Sequence, residues 1–509
     1  MQTNEFEYPE RSDSAHDLSS RVVRGGAIIF GFKIVARTLD FAGTIILARL
    51  LTPFDFGIVG MAGVVLAGIE ICSETGFTRA LVHRQGNLEP YLDTAWTVAV
   101  FRGLVLAGVL WVAAPFAADF FREEQMTGLL RLLSIHFAIN GLVNIGTVFF
   151  QKEMRFGYHM ALDFGGSIVG LTAKLLLAYL LRDYWAIVLG ALIGGFVRVL
   201  LSFTLHSYRP RFRFNFTQAK ELMAYGKWIF ASSVLWFLVL QGDDLFVGKF
   251  MGIAAAGFYQ MAFKLSNLPA TEISNLVARV TFPAYSLIQH QHARMSEAFL
   301  KTIKFVSVFT FPVTGGIIIW APEGTRLLLG NRWLAIIGVV QVLAISGLFR
   351  ALTVTTGSVF LSLGRPSLDT KWQSVRLSVM VVLIYPLTMH FGLSGAAYCV
   401  TLSMIVTFSG CCFDVLRLLP IGLTRLLAAL CFPLFNTMLT VAVVLTVKVL
   451  WPIVEVVDLL VSVAIAAVVY TFLSFLFDRL FNFGLFAYAK DIVGDSIKRP
   501  VFQKRNHNN

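Results

Sequence analysis

The chain has 509 residues, 57% hydrophobic and 14% charged, with a mean hydropathy of +0.73 and a formal net charge of +12. So few charges cannot cover the apolar surface of a water-soluble body of this length, which excludes a soluble multidomain enzyme and leaves a polytopic membrane protein. The basic balance does not point to nucleic acid, because its distribution along the chain is that of loops beside a membrane.

The first twenty residues are polar and include Glu5, Glu7, Glu10, Asp13 and Asp17. They lack the basic start and short apolar core of a signal peptide and read as a disordered cytoplasmic tail. A helix needs roughly 20 mostly apolar residues to cross the hydrocarbon core, and about fourteen such runs follow. They lie near 24–50, 55–79, 91–117, 126–150, 157–181, 184–206, 225–250, 253–282, 299–320, 333–361, 372–391, 393–416, 424–449 and 455–477. The expected architecture is an all-α polytopic membrane protein with two pseudo-symmetric six-helix lobes, residues 21–206 and 225–417. A basic linker, 207–224, joins them. Two further spans occupy 418–480 and a cytoplasmic tail 481–509.

The first connection is short. In LARLLTPFDFGIVG (47–60), Thr52 is a good N-cap, Pro53 suits the first helical position and Asp55 completes a capping box for the second span. Arg49 ends the first span where its charge can snorkel to water. The turn is tight because backbone exposed to lipid would be unsatisfied.

This pattern returns 200 residues later in GKFMGIAAAGFYQM (248–261). Arg49 answers to Lys249, Leu51 to Met251, Gly57 to Gly257, Met61 to Met261 and Arg79 to Arg279. At an offset of 210, LLRLLSI (129–135) resembles VVQVLAI (339–345), and Arg155 answers to Arg365. Matches in order point to an internal duplication. Units of six spans are parallel in the membrane, which is the architecture of alternating-access transporters.

With a cytoplasmic N-terminus, loops on that side carry several times as many Lys and Arg as the opposite loops. Arg209, Arg211, Arg213 and Lys220 share one loop, and Lys490, Lys498, Arg499, Lys504 and Arg505 lie in the tail. Both termini are then cytoplasmic. The five cysteines, Cys72, Cys399, Cys411, Cys412 and Cys431, sit inside apolar runs without His or Cys at metal spacing and read as small buried hydrophobes. No metal or cofactor is implied.

Charges at membrane depth are costly and belong to a wet cavity or a partner. The first span carries Lys33, Arg37, Asp40 and Thr44, whose spacing puts all four on one helix face. Glu70 and Glu74 follow on the second span, and Gln241, Asp243 and Asp244 on the seventh. The eighth holds a polar stripe, Lys264, Asn267, Thr271 and Asn275, with Pro269 inviting a kink. Arg102, Arg131, Asp163, Lys174, Arg198 and Arg350 are further deep charges. The functional reading is a water-filled cleft between the halves, cationic at its base and suited to a phosphate or pyrophosphate. Lys33, Arg37, Asp40, Lys264, Asn267, Thr271, Asp243 and Asp244 are its candidate substrate-binding residues; Asp40, Glu70 and Glu74 are candidates for ion coupling. The bland reading makes Lys33–Arg37–Asp40 a structural salt-bridge cluster and pairs Lys174 or Arg198 with Asp163. The loops are short and carry no DxD, HExxH or GxSxG constellation, which argues against a membrane enzyme.

The segment 47–84, with QKEMRF (151–156), YRPRFRF (208–214), AGFYQMAFKLSNLP (256–269), LLLGNRW (327–333) and LSLGRP (361–366), resembles the Wzx-type polysaccharide-biosynthesis flippases, in their exopolysaccharide or colanic-acid-like branch. These belong to the multidrug/oligosaccharidyl-lipid/polysaccharide exporter superfamily. The resemblance covers about residues 1–420 and implies a V-shaped, two-lobed transporter in the bacterial inner membrane. It implies as substrate an undecaprenyl-pyrophosphate oligosaccharide repeat unit, with membrane lipids and the polysaccharide polymerase and export machinery as partners. The cations of the first and eighth spans would hold the pyrophosphate. A multidrug or cation antiporter of the same superfamily and a lipid II flippase are the alternatives.

Overall fold

A computed structural model describes residues 15–73, 89–153, 155–216, 227–450 and 455–481. Glu74, residues 217–224 of the expected linker and the tail from 482 onward lie outside the described residues, as do the first fourteen residues and the side chain of Asn275.

Among the described residues there are fourteen long helices and no strand. In chain order they are α1 (Ala15–Leu50), α2 (Pro53–Cys72), α3 (Glu89–Phe121), α4 (Gln125–Gly141), α5 (Phe156–Leu181), α6 (Trp185–Leu205), α7 (Lys227–Phe250), α8 (Ile253–Leu287), α9 (His292–Gly324), α10 (Ile337–Ser362), α11 (Pro366–Phe391), α12 (Leu393–Leu418), α13 (Leu423–Leu450) and α14 (Glu455–Phe481). They fall one to one on the apolar runs, and α1 starts early enough to take up the end of the polar N-terminal stretch. Ten of these helices are long and apolar enough to cross a membrane. Of the other four, α1, α7 and α8 carry the intramembrane charges, and α4 is short at 17 residues. The chain is an all-α multi-pass membrane protein.

Contacts divide it into two compact units, Met1–Phe258 and Tyr259–Asn509. In the first, helices approach through small residues, as they must where lipid supplies no hydrophobic drive for association. Gly166 and Gly170 of α5 meet Gly190 and Gly194 of α6; a Cβ on Gly194 would lie 2.8 Å from the Gly166 carbonyl oxygen. Gly103 of α3 and Gly141 of α4 pair likewise, a Cβ on Gly141 falling 2.8 Å from the Ala99 carbonyl oxygen. α7 packs along α2 with Gly248 against Met61 and Gly68 against Phe237, so the seventh span belongs to this unit although it follows the linker.

The second unit has a continuous core of Phe299, Ile303, Val306, Ala351, Leu352, Phe360, Phe408, Val415 and Ala429. The last two helices attach to α9 through polar contacts: Tyr470 Oη donates to the Val308 carbonyl at 2.8 Å, Trp320 Nε1 to Ser462 Oγ at 3.0 Å, and Lys448 pairs with Glu323 at 2.8 Å. Cys399, Cys411 and Cys412 are buried, whereas Cys431 is exposed on α13.

The same offsets recur among backbone hydrogen bonds at helix ends. Leu51 N donates to Leu47 O at 2.8 Å and Met251 N to Val247 O at 2.9 Å; Phe56 N donates to Thr52 O and Ala256 N to Gly252 O. Ten residues of offset are then gained. Arg155 N donates to Phe150 O at 2.8 Å and Arg365 N to Phe360 O at 2.9 Å, each just before a helix. The helices that follow end at Arg182 (φ +52°) and Gly392 (φ +59°), again 210 apart. The Gly57–Gly257 correspondence is also a physical contact. A Cβ on Gly57 would overlap the Ile253 carbonyl and lie 2.9 Å from Gly257 N; a Cβ on Gly257 would overlap the Pro53 carbonyl and lie 2.8 Å from Gly57 N.

Candidate functional site

The second span starts as its sequence directs. Thr52 N donates to Asp55 Oδ2 at 2.7 Å, Asp55 N donates to Thr52 Oγ1 at 3.3 Å, and Pro53 fills the first position. This reciprocal cap satisfies donors that would face lipid unpaired. It fixes where α1 ends and α2 begins, and so the register of the charged α1 face.

On that face Lys33, Arg37 and Asp40 are exposed, each one turn from the next, while Thr44 is buried and donates its hydroxyl to the Asp40 carbonyl at 2.7 Å. Glu70 lies exposed in the last turn of α2. Beside it, Arg102 of α3 donates to Ser73 Oγ at 2.8 Å through Nη2 and at 3.2 Å through Nε. A cation there complements the carboxyl end of a helix, so Arg102 serves as a cap for α2. On α7, Asp243 is buried and its neighbour Asp244 half-buried, because adjacent helical residues point roughly 100° apart.

In the second unit the α8 stripe divides. Lys264 and Thr271 are half-buried, and Thr271 donates to the Asn267 carbonyl at 2.8 Å. Asn267, between them, is 3% exposed and lies against Gly347 of α10, whose lack of a side chain lets α8 approach. Its Nδ2 donates to Ser266 Oγ at 3.1 Å, and its Oδ1 has no hydrogen-bond partner among the described residues. Arg350 of α10 stacks over Phe263, next to Lys264, at 4.9 Å from the ring centroid.

The remaining deep charges have local partners. Arg198 of α6 pairs with Asp163 of α5 at 3.0 Å, and Arg131 lies over the Trp111 ring. Lys174 lines the close approach to Gly190. One further cluster lies in the second unit. Asp414 of α12 accepts at Oδ2 from Lys371 Nζ at 3.0 Å and from Trp372 Nε1 at 2.7 Å, with Arg376 buried one turn further along α11. Its only sequence signal is a Lys-Trp pair at a span end and a lone Asp 42 residues later.

This arrangement shares its fold with solved membrane transporters. An inward-closed structure of the lipid II flippase MurJ matches with a TM-score of 0.74 at 14% identity, covering 89% of this chain and 99% of that one. An inward-facing multidrug resistance MATE family transporter of the MOP superfamily matches with a TM-score of 0.57 at 17% identity, covering 75% and 95%. Within that class, residues 46–338, more than half of the chain, match the model of the polysaccharide biosynthesis protein family, and the chain belongs to that family. The teichuronic acid biosynthesis protein TuaB of Bacillus subtilis (strain 168) is 26% identical over 322 residues, 63% of this chain and 66% of that protein. The lipopolysaccharide biosynthesis protein WzxC of Escherichia coli (strain K12) is 24% identical over 347 residues, 68% and 69% of the two chains. The succinoglycan biosynthesis transport protein ExoT of Rhizobium meliloti (strain 1021) is 23% identical over 320 residues, 62% of this chain and 65% of that one.

Proposed function

We propose that this protein is a flippase that moves undecaprenyl-pyrophosphate-linked oligosaccharide repeat units across the bacterial inner membrane, by alternating access, for exopolysaccharide or lipopolysaccharide biosynthesis. The observation that carries this reading is the exposed, charged face of α1 in a member of the polysaccharide biosynthesis family. Lys33 and Arg37 stand one helical turn apart on a helix whose flanking residues Phe32, Ile34, Val35 and Leu39 are exposed and apolar. A diphosphate is the ligand such a pair suits, since a guanidinium binds two of its oxygens in a plane and an ammonium adds a point charge. Lys264 supplies the corresponding cation on α8, and Asp40, Thr271, Asp243 and Asp244 provide polar contacts for the carried group. Asn267, of the same stripe and buried against Gly347, is proposed as a further polar contact. Glu70 and Asp40 are the described carboxylates proposed for ion coupling, with Glu74 following Glu70 in sequence. The protein acts as a carrier and not as an enzyme, with both termini in the cytoplasm and the polymerase and export machinery as its neighbours in the pathway.

The test is a deletion strain complemented with wild type, Arg37→Ala or Lys264→Ala. Loss of surface polymer, build-up of a complete lipid-linked repeat unit in the lipid extract and wild-type protein levels in the membrane are expected for both variants. Normal polymer with either variant removes that residue from the binding role. Unchanged lipid-linked intermediates in the deletion strain itself refute the flippase reading and bring drug or ion export forward.

A further inference from the structure

We propose that residues 206–216 form a preorganised site for the phosphate headgroups of anionic phospholipids, distinct from the α1 and α8 cations and independent of what the protein carries. The sequence there is HSYRPRFRFNF, in which Arg and Phe alternate after Pro210. It begins directly after Leu205, the last residue of a helix long and apolar enough to cross a membrane, and so stands at the membrane boundary.

The segment is extended and strapped along α3. Arg211 N donates to Asp93 Oδ1 at 2.9 Å and Arg213 N to Thr97 Oγ1 at 3.1 Å. The match is geometric: two residues of extended chain advance roughly 6.7 Å, and the four residues from Asp93 to Thr97 on a helix advance about 6 Å. Tyr208 anchors the start, its hydroxyl donating to Asp93 Oδ1 at 2.6 Å and its carbonyl accepting from Asn144 Nδ2 at 2.7 Å. Arg209 folds back to donate to the His206 carbonyl at 2.6 Å. The Phe212 ring sits 4.7 Å from Trp96.

With the backbone so held, the arginine side chains are left outward. Arg211 and Arg213 are exposed, and neither guanidinium pairs with a carboxylate among the described residues. Phe212, Phe214 and Phe216 are 70%, 60% and 72% exposed. Three exposed phenyl rings are unfavourable in water, and two bare guanidiniums are unfavourable in hydrocarbon. One environment satisfies both, the headgroup–acyl boundary, where guanidinium meets phosphate oxygen and phenyl meets chain. A diphosphate in solution offers the same oxygens and nothing for the phenylalanines.

The experiment is native mass spectrometry of the full-length protein in detergent, with phosphatidylglycerol and phosphatidylethanolamine added in equal amounts. Wild type is expected to retain phosphatidylglycerol preferentially. The double variant R211Q/R213Q should lose roughly tenfold or more of that retention and keep phosphatidylethanolamine unchanged. D93A leaves both arginines in place but releases the strap, and should also lower it; this separates a built site from mere local charge. Undiminished phosphatidylglycerol on R211Q/R213Q overturns the proposal. Displacement of the lipid by inorganic pyrophosphate, with F212S/F214S binding as wild type, would overturn it in favour of a simple phosphate site. The readout is lipid retention, so its failure leaves the flippase reading intact.

Discussion

Adding one methyl group at Gly57 tests the helix crossing most directly. The new Cβ would lie 2.8 Å from the Ile253 carbonyl carbon and 2.9 Å from Gly257 N, where ordinary van der Waals contact begins at 3.4 Å. Both obstacles are backbone, so no side chain can turn aside. Because the Cβ also overlaps the Ile253 carbonyl oxygen outright, the first turn of α8 must move by more than about 1 Å, which forfeits about half or more of the dispersion energy across the crossing. We expect Gly57→Ala to cost about 3 kcal/mol, the upper part of the range for overpacking. Gly257→Ala should cost about the same, and the double variant little more than either, because one separation of the helices relieves both overlaps. The control is Gly63→Ala on the same helix, where a Cβ meets nothing within 4 Å. It gains helix propensity and should be neutral or slightly stabilising. The assay is thermal unfolding of the detergent-solubilised protein, followed by size-exclusion recovery. If Gly57→Ala and Gly63→Ala melt together, the close crossing is not what holds residues 253–257 on α2.

Four further outcomes are expected from the same preparation. Gly392 holds φ +59° and ψ −139°, a region all but closed to other residues, so Gly392→Ala should destabilise by about 1–3 kcal/mol, whereas Arg182→Gly at the equivalent left-handed position should stabilise by up to about 1 kcal/mol; comparison of melting midpoints decides both. Asp414→Ala strips the acceptor from Trp372 Nε1 and should cost about 2 kcal/mol, the exposed Lys371 adding little, and a double-mutant cycle with Trp372→Phe should recover most of it. Burial holds the His206 imidazole below its ordinary value of 6.5, against the pull of Glu153 and with the push of Arg155 and Arg209. Its Nδ1 accepts from Tyr208 N at 3.0 Å, so the ring must be neutral there. Strap docking is therefore complete above pH 6.5 and weakens as pH falls from there toward the folded-state value. Hydrogen exchange at the Arg211 and Arg213 amides should quicken over that interval and be flat in His206→Gln; flat wild-type exchange would remove His206 from the docking.

The helices and the α2 cap were legible because they are local patterns. An apolar run of sufficient length is a helix in lipid, and Thr52-Pro53-Phe54-Asp55 carries both halves of its cap within four residues. The repeat was legible for the same reason: its offsets of 200 and 210 survive in residue identity and return as hydrogen bonds. What spacing could not give is which neighbour a residue meets. Asn267 shares a stripe with Lys264 and Thr271, yet the absent side chain of Gly347 on another helix decides that it is buried. Arg102, one of several deep arginines in sequence, caps a helix end 29 residues earlier. Asp414 and Trp372 are unremarkable until α11 and α12 lie side by side. The α5–α6 glycines read as a hydrophobic run until their partners are seen to be glycines too.

The Gly57–Gly257 contact is reciprocal: each glycine faces the carbonyl four residues before the other. A contact of this form, the same residue type on both sides, is what a patch that meets its own copy would make. In a half-length chain associating with its own copy, one codon would write both sides of this contact, and any change there would be felt twice. Fusion of the two copies releases that constraint everywhere except where two such positions still share one volume, as these two glycines do. Substitutions tolerated by one glycine are therefore governed by the other, and these two sites should evolve as a single character while the helices around them diverge.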